Sequence, residues 1–320
     1  CVGMLTVTWW DPQAKKYGGH NVCAFKYTDP ATFADDIVVE APRDVIGNGQ
    51  GGFINIKHTQ AQALNAATVS FNFNANDIPA KEAAVTAAPE DQQGDIEFQL
   101  EEAQFGLEDA EFDAETGPSK PLLDVWFANE LKGFAVGAYG FFFETEDGGK
   151  NWFNVSNRID NQDRFHLNAI SEIVGGSLFI VGEAGNIYRS NDAGNTWESV
   201  DSPYEGSFFG VSGTGNVNEV LVFGLRGNLY RSIDLGKNWA RINSGNEATL
   251  IAAEQGEDGI VVVVGNSGIV LVSGNAGESF QAVIRENRQA VAAVYLLENG
   301  NFLLVGEHGI DISGPTGRNL

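Results

Sequence analysis

The sequence predicts an all-β fold: a β-propeller of six or seven blades, with one acidic amphipathic helix inserted before the regular blades. Three observations predict it. One motif recurs in near-copies, as VGAYGFFFETEDGGKNW (136–152), VGEAGNIYRSNDAGNTW (181–197), FGLRGNLYRSIDLGKNW (223–239) and VGNSGIVLVSGNAGESF (264–280), with a truncated copy, VGEHGIDIS, from Val305. The copies start 45, 42, 41 and 41 residues apart. A period of about 40–45 residues carrying several short strands marks a propeller blade. Each full copy also holds two strand-like runs, separated by a G-x-x-G turn and closed by a second tight turn. Finally, glycine is abundant, at 39 of 320 residues, as a fold with many tight turns requires.

In chain order, residues 1–86 come first and lack the repeated motif. Strand-like stretches lie at 4–10, 21–27, 36–40, 52–56 and 68–73. This segment reads as divergent blades or a small β-rich unit. It is placed to close the ring, because the last repeat stops near Ser313, before its outer strand. Residues 87–120 form an acidic linker. The window 90–115 holds eleven Asp or Glu and no Lys or Arg. Phe98, Phe105 and Phe112 recur at sevens, with Leu100, Leu107, Ala103 and Ala110 between, which is the stripe of an amphipathic helix needing a partner surface. The Gly-Pro-Ser-Lys-Pro run at 117–121 ends it. Residues 121–320 are the regular blades, with inner strands expected at 122–127, 165–170, 207–211, 249–253 and 290–295.

The closing turn has the form S-x-D-x-G-x-[TS]-[WF], the Asp-box or BNR repeat. Asp147, Asp192 and Asp234 are expected to hold their turns by accepting N–H groups two residues on. The glycine permits positive φ. Trp152, Trp197 and Trp239 open the next strand and supply buried area between sheets. These carboxylates are structural on this reading: each sits in its own turn, and Asn275 replaces the Asp in the fourth copy.

Net charge is −24. That excludes a basic stripe for nucleic acid and argues against adhesion to anionic lipid. No apolar run is long enough to span a membrane. His20, His58, His166 and His308 have no ligand spacing and no Cys cluster accompanies them, so no metal or cofactor is expected. Cys1 and Cys23 have the makings of a disulfide in an oxidising compartment. A chain beginning at Cys also suggests a mature lipoprotein anchored through Cys1.

The stretch 100–152, with the segments FHLNAI (165–170), VGEAGNIYRS (181–190), SPYEGSFFGV (202–211) and FGLRGNLYRS (223–232), resembles the photosystem II stability/assembly-factor-like propellers. More narrowly, it resembles their bacterial branch associated with RND-family exporters. The resemblance covers about 98–313. It implies a non-enzymatic, periplasmic or otherwise extracytoplasmic propeller. Its expected partner is a membrane protein complex, of RND-transporter or photosystem type.

In such a propeller the Asp boxes line one face, and the V-G-x-x-G turns with the inter-blade loops line the other. The second is the expected partner face. Its variable positions give the candidates Tyr139, Arg164, His166, Glu183, Tyr204, Glu205, Arg226, Asn266, Arg285, Arg288, Glu307 and His308. Arg226 and Tyr204 lead, since Arg and Tyr dominate interface hot spots. The alternative is a glycan-binding or sialidase-like propeller, for which Arg164, Arg226, Arg285 and Arg288 would have to converge, with Glu183, Glu205 and Glu307 as carboxylates. The F/Y-R-I-P start of sialidases is absent and no Tyr–Glu nucleophile pair can be placed. The run YGGHNVCAF (17–25) is similar to the histidine strand of papain-like proteases, and 49–56 weakly to their later Gly-rich strand. Only Cys1 precedes His20, so this is at most an inactive remnant.

Overall fold

The computed structural model describes the backbone of residues 2–11, 16–26, 37–40 and 53–58. It describes helical residues at 81–87 and 92–98 with a few neighbours, then 121–318 apart from 257 and 308. Among the described residues the protein is an all-β propeller with five blades and two helices.

Blade 1 is the antiparallel meander β5 (Leu122–Phe127), β6 (Gly133–Gly137), β7 (Phe142–Thr145) and β8 (Phe153–Asn154). Blade 2 is β9 (Leu167–Glu172), β10 (Leu178–Gly182), β11 (Ile187–Ser190) and β12 (Glu198–Ser199). Blade 3 is β13 (Phe208–Gly213), β14 (Val220–Gly224), β15 (Leu229–Ser232) and β16 (Ala240–Arg241). Blade 4 is β17 (Leu250–Gln255), β18 (Val261–Gly265), β19 (Ile269–Ser273) and β20 (Gln281–Ile284). Blade 5 has three strands, β21 (Val291–Leu296), β22 (Phe302–Gly306) and β23 (Gly309–Ser313).

The expectation of six or seven blades is thus corrected to five. The N-terminal strands β1 (Val2–Asp11), β2 (Lys16–Lys26), β3 (Ile37–Glu40) and β4 (Phe53–His58) do form a sheet. Its order is β2-β1-β4-β3, which is not the sequential meander of a blade. Nor does it lend β23 an outer strand among the described residues. β2 lies beside β5 and β21, the inner strands of the first and last blades. The expected strand at 68–73 falls outside the described residues. A helix at 81–87 was not anticipated: its KEAAVTA sequence is rich in strong helix formers. The acidic helix is present at 92–98, where Phe98 is exposed. Phe105, Leu107 and Phe112 lie outside the described residues.

The second strand of each of the first four blades is buried along its length. A strand sandwiched between neighbouring sheets reads as a continuous apolar run, as in Val261-Val262-Val263-Val264. The Asp box locks the far end of each of the first four blades. In blade 2, the Ser190 hydroxyl donates to Asp192 Oδ1 (2.8 Å) and accepts from Gly194 N–H (2.9 Å). Asp192 accepts from Thr196 N–H (2.9 Å) and from the Thr196 hydroxyl (2.6 Å). The carboxylate therefore spans four residues, not the two expected. Blade 3 repeats the pattern with Asp234 and Asn238, and blade 4 keeps it with Asn275 and Ser279. The aromatic that follows packs into the preceding blade: Trp197 meets Phe134 and Phe142 edge-on, with centroids 6.4 and 5.4 Å apart.

Arginines then clasp each of the first three blades to the next. Arg158 Nη1 donates to Gly194 O (3.1 Å), Arg189 Nη1 to Leu235 O, and Arg231 Nε to Ala276 O (3.2 Å), each acceptor lying in the next Asp box. Carboxylates hold the clasps, as Glu219 holds Arg231 at 2.7 Å. Burial pushes the Glu219 carboxyl up, but hydrogen bonds from Thr214 and Asn216 and the Arg231 charge outweigh it, and its pKa lies below the ordinary value.

Candidate functional site: the face of the glycine turns

The V-G-x-x-G turns share one construction. The first glycine has no room for a side chain: a Cβ on Gly182 would sit 2.2 Å from the carbonyl oxygen of His166, and one on Gly224 as close to that of Ser207. The next residue's N–H donates to that same carbonyl, from Glu183 to His166 O (2.9 Å) and from Asn266 to Thr249 O (2.8 Å). The following residue takes the left-handed conformation: Tyr139, Ala184, Arg226 and Ser267 have φ of 54–57°. Such a residue has its side chain thrown outward at some conformational cost. Tyr139 and Arg226 are accordingly exposed. The backbone thus offers one outward position in each of the first four blades, and the sequence fills each differently.

Tyr139 stacks edge-on with His166 of the next blade, centroids 5.1 Å apart. Arg164 is exposed beside them on a left-handed loop residue. Arg226, Asn266, Arg288 and Glu205 are exposed in the later turns and loops. Tyr204 differs from its leading billing: it is half-buried, packed on Phe208 and Tyr230 at 5.9 and 6.3 Å. Glu183 and Glu307 occupy equivalent places, and each accepts a backbone N–H at the start of an inner strand, His166 (3.3 Å) and Ala290 (3.0 Å). Those bonds give both carboxylates a turn-holding role. Arg285 is buried, 4% exposed, and paired with Asp311. Sequence reasoning placed it among loop residues, and nothing in local pattern marks it as enclosed. His308 and Cys1 lie outside the described residues. Among the described residues no group of three or more His, Cys, Asp or Glu gathers to hold a metal. No helix among them is long and apolar enough to cross a membrane.

On the opposite face, the Asp-box carboxylates are held in their ionised form. The Thr196 hydroxyl, then its N–H, then Ser190 bring Asp192 down to about 2. Asp234 is lowered by Asn238 side-chain and backbone N–H groups, and Asp147 by those of Asn151. A carboxylate so committed to its own turn is a poor proton donor, which supports the structural reading of all three.

A model of the family described as Photosynthesis system II assembly factor YCF48 matches residues 110–305. The chain belongs to that family. The Photosystem II assembly lipoprotein Ycf48 of Synechococcus sp. (strain CC9902) is 35% identical over 75 residues, 23% of this chain and 22% of that protein. The aligned stretch therefore spans about a fifth of the relative's length. Among solved structures, one titled "YCF48 bound to D1 peptide" is 22% identical with a TM-score of 0.49, covering 62% of this chain and 66% of that one. "Structure of U3-55K" is 10% identical with a TM-score of 0.52, covering 63% and 64%, and shows the fold alone. The family match supports the photosystem side of the resemblance. The narrower likeness to exporter-associated propellers gains no support from it.

Proposed function

We propose that this chain is a non-enzymatic, protein-binding propeller that assists assembly of a membrane protein complex of the photosystem type. One observation carries the reading: a family model of photosystem II assembly factors aligns along residues 110–305, through the glycine turns as well as the Asp boxes. The site geometry supports it. A rigid ring that throws Tyr139, Arg226 and the exposed Arg164 and Arg288 out on one face offers aromatic and cationic anchors, the residue types that carry interface energy. The proposal includes an extracytoplasmic, membrane-associated place of work, in keeping with the Synechococcus relative named as a lipoprotein. It also gives residues 1–58 the role of bridging the first and last blades, in keeping with β2 beside β5 and β21.

The test is affinity capture of the tagged protein from gently solubilised native membranes, with mass spectrometry. Stoichiometric recovery of a photosystem subunit is expected, and the D1 peptide is the first defined ligand to assay. Arg226→Asn removes the charge while keeping a residue that tolerates left-handed backbone. It is expected to weaken capture at least tenfold. Capture unchanged by Arg226→Asn, or recovery of the protein alone, overturns the reading.

A further inference from the structure

On the face of the Asp boxes, the first four blades repeat a feature that folding does not require. There the hairpin from inner to second strand is anchored through one carbonyl. In blades 1, 3 and 4 the box residue after the Asp position donates its N–H to it: Gly148 to Leu131 O (2.9 Å), Leu235 to Asn218 O (3.2 Å) and Ala276 to Gly259 O (2.8 Å). In blade 2 the donor is Asn218 N–H, onto Val174 O (3.0 Å), which joins the hairpins of blades 2 and 3 directly. At or next to each anchored carbonyl stands an exposed aliphatic residue: Leu131, Val174, Val217 and Ile260. Ile233, inside the blade 3 box, is a fifth.

The turns do not need these side chains. Hairpin ends are made by Gly, Asn and Asp, and those are present. Asn129 Oδ1 accepts the N–H groups of Leu131 and Lys132 (2.8 and 2.9 Å), while Gly175, Asn218, Asp258 and Gly259 take the positive φ. Nor does the core use them: the five belong to none of its apolar clusters among the described residues. One exposed aliphatic is ordinary, but the same choice at four matched hairpins on one face marks an interaction surface. Its centre is close-set and stiff. A Cβ on Gly175 would lie 3.4 Å from Val217 Cγ1. Backbone bonds run from Val174 to Asn218 and on to Leu235, two residues from Ile233, and Val217 and Ile233 are each 62% exposed.

Charge decides what fits there. Glu130 beside Leu131, Glu172 two residues before Val174 and Asp258 two before Ile260 are exposed, and none forms an ion pair among the described residues. A second copy of this chain, at net charge −24, would set the same carboxylates against them, and the chain's own acidic helix would add more. Like charges so juxtaposed repel.

We propose that the Asp-box face docks a basic amphipathic segment of a partner protein. Its apolar side chains lie on Val174, Val217 and Ile233, and its Lys or Arg residues face Glu130, Glu172 and Asp258. This surface is opposite the glycine turns, so both faces can be engaged at once.

The full chain is titrated, by fluorescence anisotropy, with a labelled amphipathic helix of leucine and lysine. Two control helices carry Ser for every Leu, or Glu for every Lys. Saturable binding of the first is expected, at least tenfold tighter than either control. Val217→Ser with Ile233→Asn, the latter matching Asn191 of blade 2, should weaken it at least tenfold at an unchanged melting temperature. Glu130→Gln, Glu172→Gln and Asp258→Asn together should weaken it as much and flatten its dependence on salt. The proposal is overturned if the leucine–lysine helix does not saturate, if the serine helix matches it, or if the aliphatic double variant binds as the parent does. Retention of the parent on phosphatidylcholine vesicles, or self-association in sedimentation, that the double variant abolishes would give the face to a membrane or a second copy and overturn it too. Arg226→Asn lies on the other face and should leave the helix bound as before, which keeps this outcome separate from the test of the function proposed above.

Discussion

Gly182 and Asp192 show what single residues do in this fold. Gly182 has φ −156°, which any residue adopts, so its glycine is required by space and not by backbone conformation. Both the atom that a Cβ would strike and the atom carrying it are backbone. Neither can swing aside, so Gly182→Ala must spread the turn from the inner strand and break the Glu183 N–H bond to His166 O. Overpacking of this kind costs about 1–3 kcal/mol. The expected readout is a lower denaturant midpoint with an unchanged m-value. Asp192 makes a prediction in pH. Its folded pKa, about 2, lies below the ordinary carboxyl value. A depressed carboxyl stabilises the fold above its unfolded pKa, and that contribution disappears as pH falls through the folded value. Melting temperature should therefore hold from neutrality to about pH 5 and fall between there and pH 2. Asp192→Asn should fall less steeply over the same window, because Asn275 shows that an amide fits the box and does not titrate. Equal acid limbs for the two proteins would refute this account of the box. The role of the Asp was legible in the sequence. The four-residue span was not, because a motif gives spacing without saying which N–H the oxygen faces.

At the scale of the element, the inner strands were the most legible, since an apolar run before each V-G has only one place in a blade. β5 (122–127) was placed to the residue, and the other four within one or two. The arginine clasps were not legible. IYRS and LYRS show an Arg on the third strand, but its acceptor lies some 45 residues away, at 46 for Arg189 and 45 for Arg231. Such a contact exists only once the blades are stacked. Val272 stands at the same strand position in blade 4, so the clasp reinforces a blade pair without being needed to form one. Arg231→Met keeps the aliphatic stem and removes the fork. It leaves Glu219, largely enclosed, without its cation and Ala276 O without its donor. The expected loss is about 2 kcal/mol, the scale of a charged hydrogen bond. Chemical denaturation checks it, and Arg231→Met combined with Glu219→Gln should recover part of the loss, because the stranded charge goes too. A double variant no better than the single one would assign the clasp's value to packing alone.

At the scale of the molecule, a repeat period identifies blades but counts only those that keep the motif. The five copies correspond to the five blades seen. The divergent blades expected of the N-terminus rested on strand-like stretches that lack the motif, and the β2-β1-β4-β3 sheet answers that expectation differently. The glycine-turn face was legible as a set of turn positions. Which candidates point outward was not, because Tyr204 and Arg285 are drawn in by neighbours from distant sequence. The place of the N-terminal sheet leads to the last prediction. In a complete propeller each inner strand is flanked on both sides, as β13 is by β9 and β17. β5 and β21 are flanked by blades on one side only, and β2 lies at the other side of each. If that bridge is real, the blades and the N-terminal sheet form one cooperative unit, since removing the sheet uncovers apolar flanks on the first and last blades at once. Deleting residues 1–58 should then lower the melting temperature of the blades and raise the binding of a hydrophobic dye. The parent should melt in a single transition seen alike by tryptophan fluorescence, whose reporters include Trp152, Trp197 and Trp239 in the blades and Trp9 and Trp10 in β1, and by circular dichroism. A truncated chain that melts as the parent does, with no gain in dye binding, would detach the N-terminal sheet from the ring and make it a separate unit.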